Sequence, residues 1–207
     1  MRSWAGRFAT ALQNKSPDSR LAVVNFSGDS QDKKQYIAGS GGRSSSGGYF
    51  HYKVEVTPGT AVGSAHHGIS KMESLDGNSQ LWLALQDVSV APFTNNLKRA
   101  DRTVNSAGRI ITYVYQTELV IVTDDEWDLK SERLRTAQGN AATVQSITNL
   151  VHATYDRVSM VVCREKDSDN NLDKINALTK GRGLTYHKVT GDRFDEGLNA
   201  ATRNLLA

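Results

Sequence analysis

Three short apolar runs constrain what this chain can fold into. Residues 21–26 read Leu-Ala-Val-Val-Asn-Phe, 119–122 read Leu-Val-Ile-Val, and 158–163 read Val-Ser-Met-Val-Val-Cys. Runs this short suit strands, and their β-branched content fits a pleated surface. None alternates polar with apolar residues, so each reads as a strand buried on both faces. Helix-like segments lie between and around them. Apolar strands alternating with helices predict an α/β fold: a three-layer, Rossmann-like arrangement with a mostly parallel central sheet and helices on both faces.

The helices and the remaining strands follow from periodicity. Trp4, Phe8 and Leu12 recur every four residues, with Ala5, Ala9 and Ala11 beside them. That predicts an amphipathic helix, and Pro17 ends it by disfavouring helical geometry just before itself. Residues 27–48 are polar and close on Gly39-Ser40-Gly41-Gly42-Arg43-Ser44-Ser45-Ser46-Gly47-Gly48, a composition that buries nothing and predicts a flexible loop. Residues 49–56 alternate, with Tyr52, Val54 and Val56 against His51, Lys53 and Glu55, as a half-exposed strand does. The long loop before this strand lets it pair antiparallel at one sheet edge. A short helix is expected over 61–72 and another from 81 to about 91, before Pro92. Residues 95–108 are polar and carry no clear pattern. Residues 110–115 are strand-like, 129–151 read as mostly helical with a break near Gly139-Asn140, and 172–178 as a helix stopped by Gly181 or Gly183. A last strand over 184–189 and a helix over 194–206 close the chain. The whole of 1–207 reads as a single domain.

Composition excludes several functions. The chain has 207 residues, with 25 basic and 22 acidic side chains and a net charge of +3. That balance, with no interleaving of Lys or Arg with aromatics, argues against nucleic acid as a partner. Mean hydropathy is −0.47, and no apolar run reaches the roughly 18–20 residues of a membrane span. The first residues lack the apolar core of a signal peptide. Cys163 is the sole cysteine, so no internal disulfide forms, and its apolar run suggests a buried, inert thiol. There is no Gly-x-Ser-x-Gly elbow, Walker loop or His-Glu-x-x-His pair, so no enzyme is expected. Gly39-Ser40-Gly41-Gly42 precedes no helix and is not a dinucleotide fingerprint.

Three segments, in order, resemble the von Willebrand factor A family. Arg20-Leu21-Ala22-Val23-Val24-Asn25-Phe26-Ser27-Gly28 is similar to the family's second strand with its phenylalanine-serine ending. Gly77-Asn78-Ser79 before Ala84-Leu85 resembles its Gly-x-Thr-x-x-x-x-Ala-Leu loop and helix. Leu119-Val120-Ile121-Val122-Thr123-Asp124-Asp125 is similar to its strand ending in Thr-Asp-Gly. The resemblance covers nearly the whole chain. It implies a non-enzymatic adhesion module that captures a protein ligand, one offering an acidic residue, at the loops on the carboxyl end of the sheet. It also implies a metal-ion-dependent adhesion site holding magnesium, with manganese or calcium as substitutes. Magnesium favours hard oxygen ligands in octahedral geometry. Carried over residue by residue, Ser79 and Asp124 are the metal ligands, with Thr60 and Asp125 as alternates. Ser27, Asp29, Asn78 and Glu126 are the residues placed to touch the ligand.

The chain departs from the family in three places. The first strand, with its Asp-x-Ser-x-Ser metal motif, should lie just before the first helix, yet no such motif occurs at Met1. Three explanations stay open: a truncated chain, another segment such as 110–115 in that slot, or a strand donated by a partner chain. The compartment follows the same question, cell-surface or extracellular if truncated and cytoplasmic otherwise. Asp125 stands where the family prefers glycine, and Ser79 replaces threonine but retains the hydroxyl. Each candidate also has a plain structural reading. Ser79 suits a helix N-cap, and Asp124 suits a strand-end carboxylate bonding backbone amides. His66-His67 are neighbours on opposite faces and read as surface residues. Two rivals remain: a metal-independent scaffold subunit of a larger assembly, and a phosphoryl-accepting receiver domain built on Asp124-Asp125. Only 82 residues follow Asp125, too few for the rest of a receiver fold, and the run 158–163 ends in Arg164 where a receiver needs an aspartate.

Overall fold

A computed structural model describes residues 1–30, 50–72, 81–91, 93–123, 134–135, 141–142, 144–164, 177–179, 186–190 and 194–207. Helix α1 spans Arg2–Lys15 and leads into β1, Val23–Ser30. Strand β2, Phe50–Val56, returns antiparallel to β1 with Phe26 opposite Tyr52 and Val24 opposite Val54. A 3₁₀ turn at Val62–Ser64 and helix α2, His66–Ser70, follow. Helix α3 spans Leu81–Val88. A hairpin of β3, Arg102–Ser106, and β4, Arg109–Tyr113, comes next, then β5, Glu118–Thr123. Short strands β6, Leu134–Arg135, and β7, Ala141–Ala142, pair antiparallel. Helix α4, Val144–Thr154, strand β8, Arg157–Arg164, strand β9, Tyr186–Thr190, and helix α5, Phe194–Leu205, complete the described elements.

The strands form four separate ladders among the described residues, and helices and strands are mixed along the chain as an α/β fold requires. Strands β5, β8 and β9 make a parallel sheet with β8 in the middle. The other ladders are the antiparallel pairs β1–β2, β3–β4 and β6–β7.

Side-chain alternation explains how the parallel sheet is covered. Ile121, Met160 and Val162 pack with Leu81, Trp82 and Leu85 of α3 and Ile147 and Val151 of α4. Val120, Val122 and Val161 pack on the opposite side with Trp4 of α1 and Leu198, Ala201 and Leu205 of α5. The Trp4 indole N–H fixes α1 to α5 through the Leu198 carbonyl at 3.1 Å and the Thr202 hydroxyl at 2.8 Å. The antiparallel pair is covered on both sides too. Val23 and Val56 pack with Ala9 and Leu12 of α1 and Ile69 of α2. Val24, Phe26 and Val54 pack with Ala84 and Val88 of α3 and with Phe93. Gly68 of α2 lies so close to β2 that an added Cβ would collide with the Glu55 carbonyl oxygen.

Several sequence expectations need correction. Residues 129–151 are not one broken helix: α4 begins only at Val144, and the described residues before it, Leu134–Arg135 and Ala141–Ala142, are paired strands. The expected loop over 27–48 begins as strand, since β1 continues to Ser30 through an irregular step in its pairing. The unpatterned stretch 95–108 contains β3 and its turn. Ala107 and Gly108 sit at φ 50° and 75°, the left-handed pair that a tight two-residue hairpin requires. The strand-like 110–115 is therefore an exposed hairpin arm, with Ile110 78% and Val114 70% accessible.

Candidate functional site

Two strands not paired to each other organise the centre of the molecule. Arg99 ties their starts together. Its guanidinium donates to the Asp18 carbonyl at 2.5 Å, just before β1, and lies 4.4 Å from the Tyr115 ring centroid, just before β5. The Arg102 guanidinium adds a contact to the Asp18 carboxylate at 3.8 Å. The start of β5 is locked in turn to β8. The Asp156 amide donates to the Thr117 carbonyl at 2.8 Å, and the Thr117 amide to the Asp156 carboxylate at 2.8 Å. The Ser159 hydroxyl donates to Glu118 at 2.6 Å. Arg99 thus links the segments that lead into β1 and β5.

Between them is a cavity of about 780 Å³. Its side walls are residues 21–26, running into β1, and 118–123, the whole of β5. Consecutive residues line it on both sides, as expected of strand edges rather than strand faces. Helix α1 forms the roof with Trp4, Ala5, Phe8 and Leu12, and α3 forms the floor with Leu81, Ala84, Leu85 and Val88. Each helix also packs against both half-sheets, so each bridges the gap. At the floor the Tyr155 hydroxyl donates to the Val88 carbonyl at 2.7 Å, closing the end of α3. Burial pushes the Tyr155 pKa well above its ordinary value, so it remains a donor. No ladder among the described residues pairs β1 with β5.

The residues singled out from the sequence are distributed unevenly. Ser27 and Asp29 lie in the last part of β1. Asp124, Asp125 and Glu126 follow β5 directly but lie outside the described residues, as do Asn78 and Ser79. Thr60 is at the opposite end: its carbonyl accepts from the Leu21 amide at 2.9 Å, beside the start of β1. Its hydroxyl donates to the Thr57 carbonyl at 2.7 Å. The structure therefore does not bring Thr60 together with Ser27 and Asp29. His66 and His67 are exposed on α2. Among the described residues there is no cluster of three or more His, Cys, Asp or Glu, and no helix is long and apolar enough to cross a membrane.

Sequence reasoning did not single out the residues that frame the cavity. Arg99 and Tyr115 fall where the pattern was weakest, and nothing in their local sequence announces a clamp. Comparison with family models, with curated proteins and with solved structures finds no match to this chain.

Proposed function

We propose that this chain is a non-enzymatic protein-binding module resembling a von Willebrand factor A domain. In this reading β1–β2 and β5–β8–β9 are two parts of one mostly parallel, three-layer sheet with an antiparallel edge. The ligand is captured at the carboxyl end of β1 and β5. The supporting observation is the Arg99 link between the segments that lead into β1 and β5, which in this reading run side by side. In this reading Ser27 and Asp29 lie at the end where the chain continues into Asp124, Asp125 and Glu126. Carboxyl ends of parallel strands are where such sheets bind ligands. A divalent cation held by Asp124 and Ser79 bridges to an acidic residue of the ligand.

A thermal melt in EDTA and then in millimolar magnesium tests this. A cation that binds only the native state stabilises it by about 2.7 kcal/mol at a hundredfold excess over Kd. The expected result is a rise in Tm that Asp124→Ala abolishes. An unchanged Tm sinks the cation bridge and favours the second reading, a metal-independent subunit of a larger assembly. The observation favouring that reading is the cavity between β1 and β5, whose shape suits completion by another polypeptide.

A further inference from the structure

We propose that the outer edge of β4 is a self-association surface. Two copies of this chain pair their β4 strands antiparallel about a twofold axis at Thr112, joining two hairpins into one four-stranded sheet. The inference rests neither on the cation site nor on the cavity.

Hairpin geometry says which backbone groups face outward. Ala107 and Gly108 make a two-residue turn, so Ser106 and Arg109 flank it as a hydrogen-bonded pair. Such pairs alternate with open ones along an antiparallel ladder. Arg109, Ile111 and Tyr113 therefore turn their amides and carbonyls towards β3, and Ile110, Thr112 and Val114 turn theirs away. Two contacts agree. The Tyr115 amide, next in the inward series, donates to the Asp101 carboxylate at 3.3 Å. The Thr103 and Thr112 hydroxyls meet at 3.2 Å, as side chains of an open pair do. Among the described residues β4 pairs with β3 alone.

This edge is apolar and unprotected. Monomeric sheets blunt an edge with proline, lysine, a bulge or an inward-pointing charge. Residues 110–114 read Ile-Ile-Thr-Tyr-Val, with none of these, and the pairing with β3 is regular. Ile110, Ile111, Tyr113 and Val114 are all exposed. A two-stranded ribbon is marginal by itself in water, and Val104 alone in β3 and β4 is even half-buried. A second hairpin supplies the extra strands.

The edge matches a copy of itself. Outward-facing residues must meet outward-facing residues, so the register moves only in steps of two. Centred on Thr112, it sets Ile110 against Val114, Ile111 against Tyr113, and the two Thr112 against each other. Apolar meets apolar throughout, with β-branched against aromatic side chains among the pairs, a favourable cross-strand combination. A shift of two residues either way sets Ile110 or Val114 against Thr112 instead. Arg109, the one charged residue of β4, falls opposite Tyr115 of the second copy, so no like charges meet. Each copy uses this edge once, and the assembly closes at two chains.

One copy does not cover its own edge. Ile110 and Val114 keep 78% and 70% of their surface accessible. The segments outside the described residues carry no run to match, their longest apolar stretch being Tyr36-Ile37-Ala38. The other apolar runs, at 21–26, 119–122 and 158–163, already lie in or lead into β1, β5 and β8.

Sedimentation velocity of the full 207-residue chain tests the proposal over about 1–500 µM, a range suited to an interface of a single strand pair. The expected result is a shift from one chain to two. Thr112→Pro removes the outward amide at the axis and leaves the bonds to β3 in place. Ile110→Asp sets a carboxylate against Val114 of the second copy. Each should weaken association at least about tenfold, with an unchanged circular dichroism spectrum. Single cysteines under mild oxidation read the register. Across a hydrogen-bonded pair the α-carbons lie about 5.5 Å apart, within reach of a disulfide. Thr112→Cys should therefore cross-link two chains, and Ile110→Cys, whose copies stand about 13 Å apart along the strands, should not. A chain that stays monomeric over the whole range overturns the proposal and leaves the edge to a different partner. A dimer that Ile110→Asp leaves intact, equal cross-linking at the two cysteines, or assembly beyond two chains overturns it as well.

Discussion

Enlarging Ala5 distinguishes an open cavity from a packed core by the sign of its effect. Ala5 lies in the roof helix, lines the cavity, and packs against both the α1–α5 and the α1–α2 clusters. In a filled interior, extra methylenes force strain costing about 1–3 kcal/mol. Here Ala5→Leu places three more carbons into open space, each contributing about 0.8 kcal/mol on burial. Fixing the leucine rotamer returns about 0.5–1 kcal/mol of that. The net expectation is stabilisation by about 1.5–2 kcal/mol, a rise in Tm of roughly 3–8 °C for a chain of this size. Urea denaturation monitored by tryptophan fluorescence and circular dichroism measures it, with an unchanged m-value confirming that the native fold is retained. Destabilisation by more than about 1 kcal/mol would refute the reasoning, because overpacking needs neighbours that an open cavity lacks.

Other perturbations probe the frame around the cavity. Tyr155→Phe removes the donor to the Val88 carbonyl and leaves a buried helix-end acceptor unpaired, so unfolding free energy should fall by about 1–3 kcal/mol. A loss below about 0.5 kcal/mol in urea titrations would show that the carbonyl finds another partner. Gly68→Ala sets a methyl against the Glu55 carbonyl oxygen and 2.7 Å from Val56 Cγ2. It should cost about 2–3 kcal/mol by displacing α2 from β2, and a neutral result would contradict that close packing. Burial holds the Asp87 carboxyl up at about 6, above an ordinary 3.8. The native state therefore binds this proton more tightly than the unfolded chain. Its stabilising effect is fully present below pH 3.8 and is lost as pH rises through about 6. Asp87→Asn should accordingly be more stable than the parent by about 2–3 kcal/mol at about pH 8, with no difference near pH 3.5. A gain that does not depend on pH would mean that the carboxylate charge is not its source.

Strong periodicity was legible, and its absence explains what was missed. Trp4, Phe8 and Leu12 announced α1 because a helix over a sheet must repeat its apolar face every turn. Val120, Val122 and Ile121 announced a strand buried on both sides, and the packing around β5 bears that out. Strand β3 left no apolar signature because most of its side chains are exposed, and the turn to β4 uses Ala107 rather than asparagine or aspartate. Residues 129–151 were read as mostly helix, whereas β6 and β7 within them pair antiparallel, a contact between separated residues that local periodicity does not carry. For the candidate loop site, the sequence supplied residue types, Ser27, Asp29 and Asp124 among them. The place of Thr60 beside the start of β1 depends on how β2 pairs with β1 and returns to the start of that strand, which no local motif carries. The cavity belongs to no local segment, since its lining comes from α1, β1, α3 and β5 together.

Native-state hydrogen exchange along β5 tests the proposed arrangement most directly, in which the edge of β5 turned away from β8 borders the open cavity beside β1. In a parallel ladder alternate residues direct their amides to opposite neighbours. From Glu118 to Thr123, the account predicts protection that alternates with period two. Amides facing β8 should be slow, and those facing the cavity should exchange faster by orders of magnitude. Uniform protection of all six β5 amides in the free, monomeric chain would contradict it, because a strand paired on both sides leaves no cavity.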